Sequence, residues 1–261
     1  MTDGRALALA YLEQQRLLGT DAVILPERPG HEKRDTGNVA PAAEPACPVS
    51  RVPTADLPPA GISFDPPSAD LFASDPVQRA ASLADVATLV AGCTKCKLCE
   101  SRSNTVPGEG PGDARLVVIG EGPGRTEDET GRPFVGKAGE LLTKILAAIE
   151  LPRERVFICN VVKCRPPENR LPQYDEIAAC TPYLFRQLEI LAPKAILAMG
   201  GTAAQTLLNT KQSLGALRNQ VHRFRGVPVI VTYHPAALLR NPNWKRPTWD
   251  DVRIARRLLD G

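Results

Sequence analysis

From about residue 82 onward, short apolar runs alternate with amphipathic stretches, and few architectures accommodate that order. A helical pattern over 83–90 precedes a buried-strand run at 115–119, and a helix follows over 137–149. Residues 156–162 read as a second strand, 173–191 as a helix, 195–199 as a third strand, 202–208 as a helix and 229–233 as a fourth strand. The polar segment 221–225 reads as a hairpin arm turning through Gly226, and 249–259 closes as a helix. Strands that are apolar on both faces belong to a parallel sheet covered on both sides. The expected fold is therefore α/β, a three-layer α/β/α sandwich around a four-stranded, mainly parallel sheet. Ligands of such sheets bind outside the carboxyl ends of the strands. The segments leaving those ends are 120–124, 160–170, Gly200-Gly201 and 234–240.

At 261 residues, 43% of them hydrophobic, the chain is long enough for one ordinary core plus a tail. The net charge of +3 conceals an asymmetry, since residues 1–76 hold 6 Lys and Arg against 11 Asp and Glu, and residues 77–261 hold 26 against 18. A basic core suits a polyanion such as nucleic acid, and it equally suits a soluble surface. Residues 5–18 have helical periodicity ending at Gly19, so a short helix is expected within 1–25. Eleven prolines lie between Pro26 and Pro76 among few large apolar residues, which marks 26–80 as a disordered linker and 81–261 as the folded domain. No apolar stretch reaches membrane-spanning length. Seven cysteines without an export signal point to thiolate ligation in a reducing cytoplasm rather than a disulfide framework.

Cys93 and Cys96 form a tight C-x-x-C pair, and Cys164 and Cys180 follow beyond a strand and a helix. Four soft ligands closing a long loop match the all-cysteine shell of an iron-sulfur cluster or a structural zinc. Cys99 extends the pair to C-x-x-C-x-x-C, so spacing alone leaves the ligand set open. Cys159, inside an apolar strand, and Cys47, in the linker, read as inert.

The loop Gly120-Glu121-Gly122-Pro123-Gly124 lets backbone amides approach an anion or a ring closely. Its G-x-G-x-G spacing departs from the dinucleotide fingerprint, and no acidic residue ends the next strand. Phe134 sits between Pro133 and a helix start in an otherwise polar loop, placed either for the core or to face a flat ligand. Asn160 ends the second strand, where its carboxamide either caps the turn or offers a donor and an acceptor to a base edge. Of three histidines, His234 alone follows a strand at the ligand end, and Pro235 fixes the backbone beside it. Leu238 and Leu239 stand among Arg240, Lys245 and Arg246, either tucked inward or exposed as an apolar wedge for a base stack while the cations hold phosphates.

Taken together, the Gly120 to Gly124 run, Gly131-Arg132-Pro133-Phe134-Val135-Gly136, the 160–169 segment with Lys163-Cys164-Arg165-Pro166-Pro167, and the 234–240 run resemble the family 4 uracil-DNA glycosylases over about residues 90–257. The resemblance implies a base-excision repair enzyme that flips uracil out of single- or double-stranded DNA and hydrolyses its glycosidic bond. It implies a structural [4Fe-4S] cluster on Cys93, Cys96, Cys164 and Cys180, with Cys99 outside the shell. By the same resemblance Phe134 stacks on the extruded ring, Asn160 bonds its N3 and O4 edge, Glu127 crowds the C5 methyl of thymine, and His234 donates to the departing O2. Gly122 stands where other branches carry a water-activating aspartate, which leaves Glu121 to position the water. Leu238 and Arg240 would contact DNA. A sister group that bonds covalently to its product uses a histidine in an inserted loop, and 164–170 contains none, so a hydrolytic, multiple-turnover enzyme is expected, and the resemblance implies a monofunctional one with no lyase step. The expected protein is a monomer associated with the nucleoid, with the tail available to a replication or repair partner. The rivals are a non-catalytic iron-sulfur module that binds nucleic acid, and a zinc protein.

Overall fold

The parallel core of the sheet follows from local sequence in the computed structural model, which describes residues 57–66 and 75–260. In chain order the main elements are β1 (Ala60–Phe64), α1 (Pro76–Arg79), α2 (Leu83–Ala91), β2 (Leu116–Gly120), α3 (Arg125–Thr130), α4 (Lys137–Ala148), β3 (Phe157–Asn160), α5 (Tyr174–Leu191), β4 (Ala195–Met199), α6 (Gly201–Leu208), α7 (Leu214–Leu217), β5 (Val221–Phe224), β6 (Val227–Thr232), α8 (Pro235–Arg240) and α9 (Lys245–Asp260). They build one sheet of order β1-β5-β6-β4-β2-β3. β6, β4, β2 and β3 run parallel, as continuous apolar burial on both faces requires. β5 pairs antiparallel with β6 across Arg225 and Gly226, both at positive φ (48° and 78°), the conformation a two-residue hairpin turn needs.

Side chains alternate between the two faces of the sheet. Val117, Ile119, Ile196, Ala198, Val229 and Val231 share one core with residues of α2, α5 and α6, and with Cys164 and Cys180. The intervening residues face the opposite layer, where α9 packs on β4 and β6. The three-layer α/β arrangement is thus as expected, but the sheet has six strands rather than four. β5 is the expected hairpin arm, and it joins the sheet fully.

β1 lies inside the proline-rich stretch read as linker. Its sequence Ala-Gly-Ile-Ser-Phe places Ile62 and Phe64 against the core, and it pairs parallel with β5. The buried His222 secures this edge: its Nδ1 accepts from the Ile62 N–H at 2.8 Å, and its Nε2 donates to the Leu217 carbonyl at 2.7 Å. The helix expected over 5–18 lies outside the described residues. No helix among the described residues is long and apolar enough to cross a membrane.

Candidate active site

The carboxyl ends of β2, β3, β4 and β6 open on a cleft of about 440 Å³. Glu121, Gly122, Glu127, Phe134, Asn160, His234 and Arg240 all line it, so the residues singled out in the sequence converge on one place. Gly120 and Asn160 are register partners at the ends of β2 and β3. A Cβ added at Gly120 would lie 2.4 Å from Asn160 Oδ1 and 2.5 Å from Phe134 Cζ, so the carboxamide and the benzyl ring flank a gap that only glycine keeps clear. The Phe134 and His234 rings have centroids 5.4 Å apart and planes tilted by 33°.

Phe134 occupies this place at a backbone cost. Its φ of 50° is a left-handed conformation that bulky residues avoid, and such strain persists only where the surroundings impose it. The Arg153 guanidinium donates to the carbonyls of Phe134, at 2.9 Å, and of Pro133. Gly139, in the first turns of α4, lets that backbone approach, because a Cβ there would stand 1.8 Å from the Phe134 carbonyl oxygen. Glu127 adds a third restraint by accepting from the N–H groups of Val135 and Gly136, each at 2.9 Å, through one carboxylate oxygen.

Asn160 is 1% exposed, and its Oδ1 has no hydrogen-bond partner among the described residues. A buried acceptor left unpaired costs about 1–3 kcal/mol, so such an atom points to an occupant of the cleft that carries a donor. His234 caps α8 and accepts at Nδ1 from the Ala236 N–H at 3.2 Å, which leaves the proton of the neutral ring on Nε2. Burial first, and the positive charge of Arg240 second, push the imidazole down to about 4, against a weaker upward pull from Glu127. The ring is therefore a neutral donor at physiological pH. Glu121 accepts from the Thr202 hydroxyl at 2.6 Å, which fixes its carboxylate at the mouth of α6. Gly122 is confined as well, since a Cβ there would meet Val162 Cγ2 at 2.8 Å.

One sequence expectation is corrected. Leu238 is buried at 1% exposure and cannot enter a base stack, whereas Leu239 is 49% exposed. Successive helical residues point about 100° apart, so only one leucine of the pair can reach outward from α8. Arg240 is exposed and lines the cleft. The cleft is also lined by Leu171, 68% exposed, three residues before Tyr174, 87% exposed, and neither belongs to a motif that sequence reading singles out. The supports supplied by Arg153 and Gly139 were also missed, since their roles depend on where Phe134 folds back.

A second cavity gathers Cys93, Cys96, Cys164 and Cys180, and Cys99 lines it too. None of them is paired in a disulfide, and Cys159 stays apart inside β3. Cys164 Sγ accepts from the Arg102 guanidinium and Cys180 Sγ from the Lys163 backbone N–H, each at 3.2 Å. Burial pushes the Cys180 thiol up to about 12 and raises that of Cys164, so both require a strong competitor to lose their protons. Among the described residues, no three His, Cys, Asp or Glu side chains form a group that could hold a single metal ion.

Comparison with known proteins gives these features a family. Residues 107–254 match the model of the uracil DNA glycosylase superfamily. The chain is 45% identical over 186 residues to a type-4 uracil-DNA glycosylase of Sulfurisphaera tokodaii, covering 68% of this chain and 84% of the relative. It is 46% identical over 178 residues to the type-4 enzyme of Thermotoga maritima, covering 67% and 93%. A third, from Pyrobaculum aerophilum, is 47% identical over 162 residues, 59% of this chain and 83% of the relative. The match spans the glycine loop, the Phe134 loop, β3 and the His234 turn, and the chain belongs to the uracil-DNA glycosylase superfamily, in its type-4 branch.

Proposed function

We propose that this enzyme removes uracil from DNA by hydrolysing the N-glycosidic bond of a flipped nucleotide, with no lyase step. The observation that carries the reading is the orphaned Asn160 Oδ1, buried beside Phe134 and within a cleft that His234 also lines. An acceptor fixed there suits the N3–H of uracil, and the amide nitrogen of the same side chain suits O4. Cytosine presents a lone pair at N3, so the same atom would repel it, and sites built around such polar groups reject the mismatched analogue strongly. Phe134 offers its face to the ring. The Glu127 carboxylate, held by two backbone amides, makes a rigid wall against a C5 methyl.

As the bond breaks, negative charge gathers on the leaving base, and a donor at O2 lowers the barrier. His234 Nε2–H is that donor, in the neutral form that burial enforces. Glu121, steadied by Thr202, holds the attacking water near the anomeric carbon. Lys163, three residues after Asn160, has its ammonium buried and hydrogen-bonded to Asn160 and Gln187, which removes it as an amine for Schiff-base formation. Arg240 and the exposed Leu239 serve the DNA, as phosphate contact and as wedge.

The four cysteines lining one cavity match the all-cysteine shell of an iron-sulfur cluster. Cys93, Cys96, Cys164 and Cys180 would hold a [4Fe-4S] cluster, with Cys99 beside them. When bound, it ties the segment before β2 to the start of α5 and takes no part in bond cleavage.

The test is incubation with an oligonucleotide containing one uracil, followed by alkali. Scission only after alkali is expected. Intact strands would overturn the enzyme reading, and scission without alkali would overturn the absence of a lyase step.

A further inference from the structure

Lys163 is among the largest fully buried side chains, at 1% exposure, and the chemistry above assigns it no role. A buried ammonium requires acceptors. Its Nζ donates to the Asn160 carbonyl at 2.8 Å and to Gln187 Oε1 at 2.7 Å.

The reason for this arrangement lies in the edge of the sheet. Glu109 and Ile158 exchange both backbone hydrogen bonds as an isolated antiparallel bridge on the outer side of β3. Continuing that register by two residues sets Asn160 opposite Pro107. Proline has no N–H, so the ladder cannot supply a donor to the Asn160 carbonyl. Lys163 supplies it instead, and Gln187 Nε2 donates to the Pro107 carbonyl at 2.7 Å. The side-chain pair thus replaces the missing rung. The backbone of Lys163 is fixed at both ends: its carbonyl accepts from the Val106 N–H at 2.8 Å and its N–H donates to Cys180 Sγ.

We propose that Lys163 is a positioning residue for base recognition. Its ammonium holds the main chain of Asn160, and so aims the carboxamide, while its own amide rests on Cys180. The base pocket and the cysteine cavity would then share one support. This rests on the assignment of Asn160 as the group that reads the base.

The test is a double-mutant cycle in the full-length protein, with Lys163→Met, Asn160→Ala and the pair. Excision from a uracil-containing single strand is measured under single-turnover conditions, and iron per chain is measured on the same preparations. Lys163→Met is expected to lower the maximal rate by about tenfold or more, as misplacement of a reacting partner does. The enzyme concentration giving half-maximal rate should stay within about threefold, and iron should be retained. In the Asn160→Ala background the same substitution should cost less than about threefold, because residues acting as a unit are non-additive. A wild-type rate in Lys163→Met, an equal loss in both backgrounds, or loss of iron with activity would each overturn the proposal. Should Lys163→Met not fold, Gln187→Met leaves the lysine and every cysteine in place and must give a smaller loss with the same dependence on Asn160. An additive loss there overturns it equally. Normal excision by Asn160→Ala alone would instead defeat the base-reading assignment beneath it.

Discussion

Gly120→Ala should separate the geometry of the base pocket from the stability of the fold. Gly120 ends β2 outside the left-handed region of backbone space, so alanine meets no conformational strain there. The added methyl would nevertheless lie 2.4 Å from Asn160 Oδ1 and 2.5 Å from Phe134 Cζ. An ordinary carbon contact is about 3.5 Å, so each group must retreat by about 1 Å. A shift of about 1 Å in a positioning group lowers rates by about 10²-fold. Overpacking of this size costs about 1–3 kcal/mol of stability, which thermal unfolding would register as a lowered but cooperative transition. Gly112→Ala, with nothing within 4 Å of the added carbon, is the control and should change neither quantity. The assay is single-turnover uracil release from a single-stranded oligonucleotide. A Gly120→Ala enzyme within about twofold of wild type would refute the placement of the base between Asn160 and Phe134.

His234→Ala should reduce uracil release by about 10²–10³-fold, the usual cost of a lost donor to a developing anion. The wild-type rate should persist below pH 6.5 and fall only as pH approaches about 4, because the neutral ring is the active form and its value is depressed. The unfolded ring binds a proton first, so this contribution to stability is complete above about pH 6.5 and is lost progressively down to about pH 4. Leu238→Ala should lower stability by about 2–5 kcal/mol with little dependence on DNA. Leu239→Ala should leave stability unchanged and slow excision from duplex more than from single strands. Cys164→Ser should lose iron and solubility together, read from visible absorbance and soluble yield, and a soluble, colourless, active variant would contradict a structural cluster.

The parallel core of the sheet is legible in the sequence because its strands are short, apolar and bounded by glycine, proline or helix signals. The ligand end follows from that order, which is why Asn160, Phe134 and His234 are identifiable before any coordinates. β1 is hidden because prolines flank a five-residue strand whose partner, β5, is more than 150 residues away. The two leucines of α8 are indistinguishable by type, and only the packing of a short helix decides that Leu238 is core and Leu239 is surface. Lys163 lies between a valine and a cysteine in a run that reads as a ligand motif. Its role depends on Pro107 standing opposite Asn160, a tertiary relation that no local pattern carries.

The most direct test of the base-reading site compares uracil with 3-methyluracil in otherwise identical single-stranded oligonucleotides. With N3–H replaced by a methyl group, Asn160 Oδ1 loses its donor and release should fall below detection, while affinity for the strand changes little. Comparable release of the two bases would contradict the account.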